Sequence, residues 1–157
     1  MERRLSVKHY LFILSFCLLL GQMIIPSALG EELGLVFVTS SKSTTPALTA
    51  GEIRKLYLGV TLLADGQTIK PLRNNSDDYL QEVFMQKVMF MSTPNYERQI
   101  LSQVFRMGGT RPPVYNNLDK LIDALEADPS TLSFMSRKDA QATPDIKIIG
   151  NVGENRD

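Results

Sequence analysis

Leu33-Gly34-Leu35-Val36-Phe37-Val38-Thr39 is apolar almost without a break and rich in β-branched residues. A strand with one wet face alternates between apolar and polar positions. A run like this one suits a strand covered on both faces. Everything around it has to supply that cover, and the chain reads outward from there.

On the C-terminal side, residues 40–46 form a polar loop of Ser, Lys and Thr. Thr49-Ala50-Gly51-Glu52 is a capping box that opens a short helix with Ile53, Leu56 and Tyr57 on one face. Gly59 closes it. Ala64-Asp65-Gly66-Gln67 is a turn, and residues 68–72 alternate as a strand. After the polar junction Arg73-Asn74-Asn75-Ser76 comes a strong helix, in which Leu80, Val83, Phe84, Val88 and Met91 keep helical spacing.

Thr93 caps a second long helix with Pro94 at its first position. Its expected buried stripe is Tyr96, Ile100, Leu101, Val104 and Phe105. Gly108-Gly109-Thr110-Arg111-Pro112-Pro113 breaks that helix, and Asn116 or Asn117 caps another carrying Leu118, Leu121, Ile122 and Leu125. Residues 132–135 and 146–149 are short apolar strands, and residues 151–157 read as a flexible tail. Strands that alternate with helices make the fold class α/β. The expected core holds Leu35, Phe37, Ile53, Phe84, Val88, Leu101, Phe105, Leu121, Ile122, Leu125 and Phe134.

On the N-terminal side, Arg3, Arg4 and Lys8 precede an apolar run over about residues 10–25. Pro26-Ser27-Ala28-Leu29-Gly30 then places small Ala28 and Gly30 at the −3 and −1 positions of a cleavage site. Residues 1–30 are therefore expected to be a signal peptide, with an uncleaved membrane anchor as the alternative. Cys17 follows Phe16, a poor neighbour for a lipid-modified cysteine.

The full chain of 157 residues balances 17 basic against 17 acidic residues, which argues against a nucleic-acid partner. The leader holds three basic residues and one acidic residue, so residues 31–157 carry 14 against 16 and a net charge of −2. It also holds the sole cysteine, Cys17, and the sole histidine, His9. The remainder has no disulfide, no cysteine nucleophile, no Ser-His-Asp triad and no His-based metal site. Export without cysteines fits a bacterial periplasm. The residues call for no enzyme activity, no metal and no cofactor.

Two loops invite a binding role. At the strand-to-helix junction, backbone N–H groups around Asn75 and Ser76, the Ser76 hydroxyl and the Arg73 guanidinium would suit an oxyanion. The alternative is that Asn75 or Ser76 caps the helix and Arg73 is a surface charge. Asp77 and Asp78 occupy the positive end of the helix dipole and repel an anion. Ser40 and Ser41, after the first strand, stand where open α/β sheets place ligand contacts, or else belong to a solvated connection.

Four segments in order resemble the bacterial periplasmic phosphate-binding proteins, the substrate-binding components of phosphate ABC importers. Residues 48–59, Leu-Thr-Ala-Gly-Glu-Ile-Arg-Lys-Leu-Tyr-Leu-Gly, are similar to that family's L-T-x-x-x-[LI]-x-x-I-[FY]-x-G. Pro71-Leu72-Arg73-Asn74-Asn75-Ser76 resembles its Arg-bearing anion loop, and Phe84 falls at its helix aromatic. Residues 121–135 resemble its V-x-x-x-P-G-[AS]-I-G-Y-V ending. The resemblance covers residues 35–149.

It implies one lobe of a type II periplasmic binding protein fold, a mixed sheet flanked by helices, over residues 31–150. The second lobe has no counterpart. The resemblance further implies a small oxyanion such as phosphate as ligand, with Arg73 and Ser76 at the family's ligand positions. A membrane transporter or sensor is the implied partner. Asn75, Asp77 and Asp78 replace the family's glycines and threonine, and Ser133 replaces a glycine, so affinity is expected to be weak. The alternative is a ligand-free interaction or sensory accessory domain, whose open cleft face pairs with another chain or with a second copy as a homodimer.

Overall fold

Residues 34–152, except Gly109, are described by the computed structural model, and all lie in one unit of the chain. In chain order they form β1 (Leu35–Ser40), α1 (Ala50–Tyr57), β2 (Leu63–Ala64), β3 (Gln67–Thr68), β4 (Lys70–Pro71) and β5 (Arg73–Asn74). Then come α2 (Asp78–Phe84), a π-helical turn (Met85–Met89), α3 (Thr93–Met107), β6 (Val114–Tyr115) and α4 (Leu118–Ala127). The chain ends in β7 (Thr131–Ser136), α5 (Arg137–Ala142) and β8 (Ile146–Asn151).

Every residue of β1 is buried, as its apolar run requires. Leu35 and Phe37 enter one apolar cluster with Ile53, Tyr57, Phe84, Val88 and Phe134. Val36 and Val38 enter another with Leu72, Leu121, Leu125 and Met135. Successive side chains of a strand point to opposite faces, so β1 divides the core in two. The sheet order is β4-β7-β1-β8. β1 runs antiparallel to both neighbours, and β4 runs parallel to β7. This is the mixed, helix-flanked α/β lobe that the sequence implied.

Local chemistry explains most element boundaries. Both halves of the Thr49–Glu52 capping box form. Gly59 follows α1 with φ of 88°, a left-handed backbone that a side chain would strain. Asp65 and Gly66 both have positive φ, the mark of a type I′ turn, and they join β2 to β3. Asn117 caps α4.

Several expectations need correction. Leu101 and Phe105 are outside the core, 44% and 82% exposed. α3 buries Tyr96 and Ile100, and Leu101 is turned about 100° from Ile100, out toward water. Ile122 is partly buried. Ser92, not Thr93, is the N-cap of α3. The helix through residues 80–91 gives way at Met85 to the π turn, which ends at Phe90 in a left-handed conformation. The expected tail starts too early: β8 includes Asn151, and the Val152 N–H donates to Leu35 O. Residues 153–157 and residues 1–33, with the expected signal peptide, lie outside the described residues.

Candidate functional site

Arg73 and Asn74 sit in a strand, not a junction. β5 lies parallel to β6 with Arg73 opposite Val114, and the side chains of Arg73 and Asn74 are buried. The Leu72 carbonyl just before them accepts hydrogen bonds from Tyr57 Oη at 2.6 Å and Ser133 Oγ at 3.0 Å. Tyr96 Oη donates to Tyr57 O. Burial raises both phenols above the usual tyrosine range, so they remain neutral donors.

A buried guanidinium requires an anion and donor-by-donor partners. Arg73 Nη1 donates to Glu97 Oε1 at 2.6 Å, and Arg73 Cζ lies 5.0 Å from the centre of the Tyr96 ring. Glu97 Oε2 in turn pairs with Arg111. Two arginines from separate segments thus converge on one carboxylate. Arg73 Nε has no hydrogen-bond partner among the described residues, nor does the buried Oδ1 of Asn75. Residues two apart in an extended segment face the same side, so this donor and this acceptor share a face.

The backbone donors expected for an anion are engaged. The Asn75 N–H donates to Tyr115 O, and the Ser76 N–H donates to Asn74 Oδ1. The Ser76 hydroxyl also donates to Asn74 Oδ1, whose amide is fixed by donation from Nδ2 to Phe134 O. Neither Asn75 nor Ser76 caps α2. Asp77 does, accepting from the Leu80 N–H at 2.9 Å. That carboxylate occupies the helix end, leaving less positive field for an external anion. Arg73 is likewise no surface charge.

Ser40 and Ser41 belong elsewhere. Thr39 Oγ1 donates to Thr131 O, whereas Asn74 Nδ2 reaches Phe134 O. Three residues along β7 separate these levels by about 10 Å. The Ser40 Oγ accepts from the Lys42 N–H, and the exposed Ser41 donates its own N–H to Asp145 O. The structure brings Arg73, Asn75 and Ser76 into one neighbourhood and leaves Ser40 and Ser41 at the other end of the strand.

Sequence reasoning missed Glu97 and the role of Arg111. Glu97 is 24 residues from Arg73, so no local spacing joins them. The available signal was chemical: an arginine inside a strand needs a carboxylate. Arg111 also lines a groove of about 800 Å³ between α1, α3 and α4, whose walls include Leu56, Ile69, Ile100, Val104 and Tyr115. Lys70 at its rim is paired with Asp128 at 2.8 Å. No group of three or more His, Cys, Asp or Glu residues that would hold a metal occurs among the described residues.

No family model and no curated protein matches the chain. Its fold is similar to that of an ABC-type phosphate transport receptor from Vibrio cholerae, at 16% identity with a TM-score of 0.55. That match covers 74% of this chain and 45% of the receptor. It is also similar to PstS from Borrelia burgdorferi, at 12% identity and a TM-score of 0.53, covering 74% of this chain and 46% of that one. The chain spans less than half the length of either structure, and the likeness is one of fold.

Proposed function

We propose that the chain is a periplasmic solute-binding module for a small oxyanion, phosphate first among them, held at Arg73. The observation that carries this reading is the Nε of a buried, ring-stacked guanidinium, unpartnered among the described residues and set in a fold similar to that of phosphate receptors. A fixed guanidinium with a free donor suits an acceptor-rich anion, and burial strengthens that attraction. Asn75 Oδ1 offers an acceptor for a protonated oxygen, and the exposed Ser76 hydroxyl has only to rotate from Asn74 to donate. Ser40 and Ser41 take no part. Residues 1–30 direct export, and a membrane transporter or sensor receives the module. No helix among the described residues is long and apolar enough to cross a membrane.

Asp77 keeps the affinity low, at about 10 μM to 1 mM, or about −7 to −4 kcal/mol. Calorimetry of the chain with phosphate, sulfate and small carboxylates tests this. Arg73→Ala is expected to abolish binding. Asp77→Gly is expected to strengthen it, since glycine is tolerated at an N-cap with a loss of only a few tenths of a kcal/mol. Unchanged binding in Arg73→Ala would falsify the site.

A second reading, an interaction or sensory accessory domain, is favoured by the outer face of α3. There Leu101 and Phe105 stand exposed, Phe105 to 82%. No heat from wild type or Asp77→Gly, together with self-association lost in Phe105→Ser, would establish this reading in place of the first.

A further inference from the structure

We infer that Glu97 is a tethered competitor for the anion site, so that ligand binding is an exchange and Glu97 sets its strength. The inference deepens the oxyanion reading and rests on it for the identity of the receiving guanidinium.

A carboxylate is itself an oxyanion. Glu97 presents one oxygen to Arg73 Nη1 and the other to Arg111, the arrangement two arginines adopt around a bound anion. The pairing is incomplete, because Arg73 Nε has no partner among the described residues. A tetrahedral anion brings more acceptor oxygens than one carboxylate and is better suited to meet that donor as well as Nη1.

The three side chains differ in freedom. Arg73 is nearly enclosed, its side chain 6% exposed and stacked on Tyr96, so it has nowhere to swing. Glu97 and Arg111 are 31% and 48% exposed. Glu97 can turn into water and be solvated there, whereas Arg73 must keep an anion beside it. The carboxylate is therefore the replaceable member of the cluster. It guards the buried charge when no ligand is present and yields when one arrives.

The test uses the full chain, inorganic phosphate and formate, read by calorimetry and thermal melting. Glu97→Gln keeps the side chain's shape and removes its charge, and Glu97→Ala removes the competitor altogether. Either variant is expected to bind phosphate about tenfold or more tightly than wild type. In anion-free buffer each melts lower than wild type, and formate restores the melting temperature, an effect absent from wild type and from Arg73→Gln/Glu97→Gln. Where Glu97→Ala does not fold, the milder Glu97→Gln gives the answer. Formate rescue without phosphate binding upholds the competitor and overturns phosphate as the solute. Equal phosphate binding by wild type and both variants, without formate rescue, overturns the competitor while leaving the solute reading intact.

Discussion

The two polar segments at opposite ends of the sheet, residues 40–45 and residues 73–76, look alike in composition and differ in how their atoms are satisfied. In the first, Ser43 Oγ donates to Thr45 Oγ1 and accepts from the Thr45 N–H. The Lys147 ammonium donates to Ser43 O. The hydroxyls of Ser43 and Thr45 are buried, and they answer one another. In the second, an arginine donor and an asparagine acceptor are buried without partners among the described residues. A buried polar group left unpaired is costly. The first segment therefore reads as structure, and the second is where the proposed anion would find unpaired groups.

The strongest blow to that contrast comes through the core. Phe84 is fully buried and stacks on Phe134 with ring centres 4.0 Å apart. The Phe134 carbonyl holds Asn74. Phe84→Ala is expected to cost about 3–5 kcal/mol in denaturant unfolding. Amide exchange should rise more at residues 73–76 than at residues 40–45, and an equal rise at both would erase the distinction.

A smaller change sharpens it from the other side. Ser43→Ala removes both bonds to Thr45 and is expected to cost about 1–2 kcal/mol. Phosphate titration should be unaffected by it. Any loss of binding there would draw the far loop into the site.

The smallest effect belongs to a third polar cluster that is fully paired but wet. A hydrogen bond from Lys70, then one from Ser130, lowers the Asp128 pKa from 3.8 to about 2. A depressed folded-state pKa contributes stability above the unfolded value, lost as pH falls through the folded one. The loss thus falls between about pH 4 and pH 2. Because the carboxylate is 40% exposed, solvent screening holds the contribution to about 1 kcal/mol or less. Lys70→Ala should flatten acid unfolding in this window by part of that amount, the bonds from Ser130 keeping the rest.

Much of the fold was legible because its signals are local. The β1 run, the Thr49 capping box, the Asp65-Gly66 turn and the Leu118-Leu121-Leu125 face each act within a few residues. α3 was misread because its apolar residues form two stripes, and only packing decides which one is covered. α5 was invisible for the opposite reason: it buries only Ala140 and starts on a Ser136–Asp139 cap without a hydrophobic stripe. Arg73 and Asn74 looked like a surface junction, because their burial depends on Glu97, Tyr96 and Phe134, none of them near in sequence. The site's residue types were readable, but its pairings were not.

The central place of β1 also fixes an order of events. Thr39 bonds to Thr131, 92 residues further along, and β8 closes the other edge of the same strand. While the polypeptide emerges from the ribosome, its first strand has no partner until residues 131–151 have followed it. Such non-local pairing is slow to form. The nascent lobe therefore stays open until almost all of it has been made, and a chaperone or a protease that reads exposed apolar strands meets β1 before its partners do.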